Sequence, residues 1–189
     1  MKIGLISDTH GSLKGFQKAL DGPLSNVGMI LHAGDVLYHG PRNPFADGYS
    51  TASLAEKINS LQVLMMIARG NCDADVDQLV ITAPLLSPYV FLHLGRKRVL
   101  LLHGENKRDE DFEELIGRFD LDFLVHGHSH VPRISKVGGS LIINPGTPAI
   151  PNPSSPFKKT AGVLDLAAGT VKIWDIETEK VVLEETFDV

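Results

Sequence analysis

A chain of 189 residues with 43% apolar side chains, 18 basic and 23 acidic residues and a formal net charge of −5 has the length of one domain and an ordinary globular balance. No block of Lys or Arg is long enough to track a phosphate backbone, which argues against a duplex binder or a long nucleic-acid partner. Cys72 is the only cysteine, no apolar run approaches the roughly 18 residues of a membrane span, and Met1 to Asp8 runs directly into strand-like sequence; these features predict a cytoplasmic protein with no disulfide and no membrane contact.

Ile3 to Ser7 reads as a strand that ends in Asp8-Thr9-His10-Gly11, followed by a helix on Leu13, Phe16, Gln17 and Leu20 that Gly22-Pro23 stops. Gly28 to Ala33 repeats the pattern and ends in Gly34-Asp35. A Gly/Pro-rich connection from Val36 to Ser50 then leads to a helical stripe on Leu54, Ala55, Ile58 and Leu61. Val63 to Ala68 closes on Arg69-Gly70-Asn71-Cys72-Asp73. Tyr89 to Leu94 and Arg98 to Leu102, joined through Gly95-Arg96-Lys97, read as a hairpin that ends in His103-Gly104-Glu105. Phe112, Leu115, Ile116 and Phe119 mark a third helix, and the strand from Leu121 to Val125 delivers His126-Gly127-His128-Ser129-His130. Short strands follow at 133–137, 140–143, 161–166, 170–175 and 181–187. The expectation is a single domain over 1–189 of class α/β: two sheets packed face to face with helices outside, the C-terminal part mainly antiparallel β.

Five apolar runs thus end in groups that bind metals. In an open α/β sheet ligands collect beyond the carboxyl ends of strands, where Asp8, His10, Asp35, Asn71, His103, His128 and His130 all stand. Any one has a bland alternative: Asp8 could cap a helix, Asn71 could hold a left-handed turn, His103 could be a satisfied strand-end histidine. Together they favour a site, and seven N/O donors suit two ions better than one. Asp35 is the natural bridge, since a carboxylate has two oxygens and a charge that screens two cations. With two divalent ions, two aspartates and a hydroxide the site would keep a charge of about +1 and attract a phosphoryl group.

The motifs Asp8-Thr9-His10, Gly34-Asp35, Gly70-Asn71-Cys72, the lone His103 and Gly127-His128-Ser129-His130 stand in the order found in the calcineurin-like metallophosphoesterases, which the chain resembles up to His130. Within that superfamily, Asp35 to Asn43 and Gly70 to Asp73 are similar to the bacterial YfcE-type phosphodiesterases. The resemblance implies an αββα fold and a dinuclear phosphodiesterase in which Asp8, His10, Asp35 and His130 hold one ion and Asp35, Asn71, His103 and His128 the other. It also implies in-line attack on a small phosphodiester by a metal-bridging hydroxide. Mn2+ is the expected ion, and Fe, Ni, Co or Zn would suit the same donors. Two alternatives share the pattern: a phosphomonoesterase or nucleotidase, and a binding scaffold like the metallophosphoesterase-fold subunit of retromer.

Two positions depart from the superfamily. Cys72 stands where many members have a proton-donating His, and Glu105 where relatives often have another His. A thiol is the poorer acid at neutral pH, so poor leaving groups should react slowly; the bland reading makes Cys72 a small filler. In the loop after Asp35, His39 and Arg42 are candidates to meet the substrate phosphate. His32 and His126 lie inside apolar strands and are expected in core or supporting roles, and His93 in a structural one. The sequence does not fix the oligomeric state, and a homo-oligomer is one option.

Overall fold

The computed structural model describes residues 1–189. Three short apolar runs, β1 (Lys2–Ile6), β2 (Met29–His32) and β3 (Leu64–Ile67), lie parallel in one sheet, linked by helices α1 (Leu13–Asp21) and α2 (Thr51–Asn59). Ile6 pairs with His32 and His32 with Ile67, so all three strands end level and release their following loops at one edge.

The second sheet starts with β4 (Tyr89–Leu94) and β5 (Lys97–Leu102), an antiparallel hairpin. Its turn is shorter than the sequence suggests, because Lys97 already pairs with Leu94 and only Gly95 and Arg96 remain outside. Gly95 takes φ 66°, the conformation a tight turn needs at its first central position. After α3 (Asp109–Phe119), β6 (Phe123–Val125) joins parallel to β5, and β8 (Ser140–Asn144), which follows the edge strand β7 (Arg133–Val137), joins parallel to β6. Leu101, Val125 and Ile143 align, so β5 and β6 also end level. Finally β9 (Thr160–Asp165), β10 (Thr170–Asp175) and β11 (Lys180–Thr186) form an antiparallel meander that returns to the first sheet, with β9 beside β1. The orders are β11-β10-β9-β1-β2-β3 and β4-β5-β6-β8-β7.

Period-2 alternation splits each central strand between two layers. Ile3 and Leu5 of β1 face the other sheet and pack with Leu101, Phe123, Val125 and Ile143, whereas Ile6 faces α1 and α2 with Phe16, Leu54 and Ile58. Gly4 lies on the helix side, where even a Cβ would come to 3.0 Å from Leu24. Leu100 and Leu124 face outward against Phe112 and Ile116 of α3. Each such fully buried aliphatic or aromatic side chain contributes about 1.5–3 kcal/mol of transfer free energy.

The helices begin where the chain can satisfy free N–H groups. Ser12 Oγ accepts from Gly15 N at 3.1 Å, and α3 opens with Asp109, Glu110 and Asp111 against the positive end of its dipole. The architecture is a two-sheet sandwich flanked by helices. No helix is long and apolar enough to cross a membrane.

Candidate metal centre

Both sheets deliver their loops to the same end, and the backbone there is bent sharply. Asp8, His10, Asp35, His128 and His130 have φ of 54°, 41°, 59°, 67° and 57°, in the left-handed region that non-glycine residues rarely occupy. Such conformations cost on the order of 1–3 kcal/mol each and persist only where the surroundings dictate them. Here they turn successive side chains toward one point. Two glycines permit the approach: a Cβ on Gly70 would lie 2.2 Å from Asp35 Oδ1, and one on Gly127 would lie 1.9 Å from Ser7 Oγ. This gives a steric reason for glycine before Asn71 and before His128.

Three imidazole nitrogens and two carboxylates converge. His130 Nε2, His10 Nε2 and His103 Nε2 stand 3.3, 3.8 and 3.9 Å from Asp8 Oδ1. His103 Nε2 and His10 Nε2 stand 3.3 and 3.8 Å from Asp35 Oδ2. His10 and His130 bring their Nε2 atoms within 3.1 Å, and His128 points Nδ1 at His103 Nε2 over 3.3 Å. The outer nitrogens are already engaged, since Nδ1 of His10, His103 and His130 donates to the carbonyls of Tyr38, Ala33 and Ile150. That pairing leaves the Nε2 lone pairs facing inward. Asp8 is oriented likewise: Oδ2 accepts from Ser7 Oγ (2.6 Å) and His128 N (3.0 Å), while buried Oδ1 has no well-directed hydrogen bond. A buried carboxylate oxygen without a donor, ringed by imidazole lone pairs, is what a cation would satisfy.

The electrostatics agree. Burial pushes the Asp8 carboxyl up, but His130 against its Oδ1 and the charge of His103 outweigh it and hold the group well below the usual carboxylate range. Burial opposes a proton on His103, yet the Asp35 and Asp8 carboxylates win and push its imidazole up to about 9. The two carboxylates therefore favour positive charge at this spot whatever its carrier.

The remaining candidates occupy different places. Asn71 is exposed at the rim of a cleft of ≈ 910 Å³ that His10, Asp35, His128 and His130 also line; its amide donates to Cys72 Sγ over 3.2 Å and makes no hydrogen bond to the cluster. Cys72 is half-buried, with Sγ within 4.8 Å of ligand atoms of His10 and Asp35, and its N–H donates to Asp35 Oδ1 at 2.8 Å. Burial, and then the nearby Asp35 charge, push the thiol up to about 12. Arg42 lines the cleft and has no ion-pair partner. His39 does not line it. Its ring packs among Tyr38, Phe45 and Tyr49 at centroid distances of 4.7, 4.5 and 5.5 Å. Glu105 is absent from the cleft wall, although its charge is felt at His128.

His32 spans Thr9 Oγ1 (3.0 Å) and Gly34 N (3.1 Å), and His126 stacks on Phe112 at 4.4 Å. Burial pushes both imidazoles down to about 4, so they are neutral supports behind the cluster.

Asp73, the last residue of the Gly70 to Asp73 motif, is not among the expected ligands, and the fold gives it a supporting place. Buried Asp73 accepts from Asp35 N (2.9 Å) and Gly70 N (2.8 Å) through Oδ2 and from Val36 N (2.7 Å) through Oδ1, tying the loop of Asp35 to the loop of Asn71. Asp73→Ala should weaken metal binding about 10–100-fold, the usual effect of losing a group that orients ligands. Metal titration followed by calorimetry checks it; unchanged affinity would reduce Asp73 to a loop filler.

A model of the calcineurin-like phosphoesterase superfamily domain matches residues 1–169. Phosphodiesterase YfcE of Escherichia coli K12 is 36% identical over 166 residues, 87% of this chain and 88% of its own length. A probable metallophosphoesterase of Methanocaldococcus jannaschii is 28% identical over 165 residues, covering 80% and 70%. The solved structure of Escherichia coli YfcE, described as a phosphoesterase, superposes with a TM-score of 0.86 at 30% identity over 100% of both chains. Vps29 of Entamoeba histolytica, solved with zinc, shares the fold at a TM-score of 0.70 and 18% identity. The chain belongs to the calcineurin-like phosphoesterase superfamily.

Proposed function

We propose that the protein is a dinuclear metal-dependent phosphodiesterase acting on small phosphodiesters, with Mn2+ as the expected ion and Fe, Ni, Co or Zn suited to the same donors. The observation that carries this reading is the convergence of His10, His103 and His130 Nε2 on the unsatisfied Oδ1 of buried Asp8, beside Asp35. Asp8, His10, Asp35 and His130 would hold one ion, and Asp35, Asn71, His103 and His128 the other. When bound, two such ions supply Lewis-acid charge for phosphoryl oxygens and an activated water.

The rest of the work falls to the chain. Arg42, exposed on the cleft wall with no carboxylate partner, would orient a phosphate oxygen with its two parallel donors. Cys72 offers only a thiol, held high by burial, on the side of Asp35, so esters with good leaving groups should turn over best. Arg42→Ala is expected to lower kcat/KM for diesters about 10–100-fold, the loss of one positioning interaction, with metal content unchanged.

The decisive assay takes metal-free protein, restores Mn, Fe, Ni, Co, Zn or Mg, and screens diesters, monoesters and nucleotides. Diester turnover with two ions per chain supports the reading. Turnover of monoesters alone would replace it with a phosphomonoesterase or nucleotidase, and none at full loading would leave a binding scaffold.

A further inference from the structure

Beside the metal cleft lies a second pocket of ≈ 650 Å³, walled by Leu37, Tyr49, Ala52, Ala55, Val76 and Val80. Tyr38, Cys72 and Ala74 line both spaces, so the two adjoin along that wall. Its volume falls within the range of small-molecule sites. Val76 and Val80 are 61% and 52% exposed, large apolar side chains whose packing the fold does not require.

The hydroxyl residues Tyr38, Tyr49 and Thr51 also line this pocket, and two of its other polar groups, Asn59 and Asp77, are committed. Asn59 Nδ2 donates to Val80 O, and its Oδ1 accepts from Thr82 N and Oγ1. Asp77 Oδ2 accepts from Ala74 N at 2.8 Å. Glu56 has no ion-pair partner, and no Lys or Arg lines the pocket. The wall is therefore apolar with two carboxylates and no cation to offset them. A second phosphate or a carboxylate would be repelled there, and an uncharged apolar group would gain from burial.

Cys72 sets the direction. Its Sγ lies within 4.8 Å of the ligand atoms of His10 and Asp35, and the residue also lines the second pocket. An ester arm leaving a phosphate at the cluster on the Cys72 side would run toward the wall of Tyr38, Cys72 and Ala74 that the two spaces share. We propose that this pocket receives one ester arm of the phosphodiester and selects an uncharged, apolar arm, alkyl or aryl, over an anionic one. The inference rests on the phosphodiesterase reading for its phosphate and names the class of substrate that reading leaves open.

The test uses the full chain loaded with zinc, which is diamagnetic, and symmetric dialkyl phosphates, so that whichever arm enters the pocket is the same. Affinity is measured by calorimetry for dimethyl, diethyl and dibutyl phosphate and for a bis(carboxypropyl) phosphate, and methyl resonances of Ala52, Ala55, Val76 and Val80 are followed by NMR. Each buried methylene should tighten binding about three- to four-fold, so dibutyl phosphate should bind at least about 10-fold tighter than dimethyl phosphate. The pocket methyls should shift with the longer arm, and the carboxylate arm should bring no gain. Ala52→Phe, which fills the pocket from an exposed helix position, and Val76→Asp should each flatten the series.

Equal affinity along the series, or a length gain that both variants leave intact, overturns the inference. So does a pocket already covered by a second copy, seen as a dimer whose pocket methyls do not respond. Failure of the phosphodiesterase reading looks different: the loaded chain would hydrolyse no diester whether or not dialkyl phosphates bind with this length dependence.

Discussion

Asp35→Asn is expected to abolish turnover, by about 10³-fold or more, and to lower bound metal below two ions per chain. The carboxylate lies between two sets of donors, with Oδ2 3.3 Å from His103 Nε2 and 3.8 Å from His10 Nε2, while Oδ1 is pinned by Cys72 N at 2.8 Å. An amide keeps the shape and loses the charge; whichever end turns inward, one of the two oxygens that would bridge the ions is gone. In the dinuclear proposal several kcal/mol of charge stabilisation at the phosphoryl group would depend on ions held there, and each 1.36 kcal/mol is tenfold in rate. The variant should fold, because Asn tolerates the left-handed conformation at φ 59° and the Asp73 bonds to the backbone of residues 35 and 36 are untouched. Atomic emission and kcat/KM on a diester decide it. Two ions per chain with undiminished rate would remove Asp35 from the bridge and with it the dinuclear reading.

The strand ends were legible because each apolar run stops at a polar group, and period-2 alternation already separates Ile3 and Leu5 from Ile6. What could not be read was how the runs lie beside each other. Nothing local to Thr160–Asp165 says that it pairs with β1 across most of the chain, rather than extending the sheet that β7 and β8 have just joined. Seven donors could be collected by type and position, yet not the left-handed backbone at Asp8, His10, Asp35, His128 and His130 that aims five of them. Nor could the sequence tell which nitrogen each ring presents, since that depends on distant carbonyls at Ala33, Tyr38 and Ile150.

His39 shows the limit most clearly. Sequence distance from Asp35 suggests it for the substrate phosphate, but a loop position does not fix a side-chain direction, and its ring lies among three aromatic neighbours of the same loop. Asp73 stands inside the Gly70 to Asp73 motif, but its supporting role could not be read there, because its three backbone partners come together only in the fold.

Stripping divalent ions should lower the melting temperature, and by an amount that depends on pH. A ligand at 100 times its Kd stabilises a folded chain by about 2.7 kcal/mol, and each kcal/mol moves the midpoint of a domain this size by about 2–4 °C, so a drop of about 5–10 °C is expected. The pH dependence follows from the groups the ions touch. His103, pushed up to about 9 by Asp35 and Asp8 against the cost of burial, has a folded value above the unfolded one near 6.5. Its proton therefore contributes stability to the metal-free chain that is fully present below about pH 6.5 and is lost as pH rises through 9. On the acid side the sign reverses for His32 and His126, held neutral by burial down to about 4: the unfolded chain takes up protons there below about pH 6.5 that the folded one does not. An ion at His103 displaces its proton, so metal binding near neutral pH releases a proton and strengthens as pH rises. The gap in melting temperature between loaded and stripped protein should widen from pH 6.5 to 9, and the calorimetric heat of metal binding should vary with the ionisation enthalpy of the buffer. A gap that stays constant over that window, with buffer-independent heats, would mean that the ions do not bind at His103.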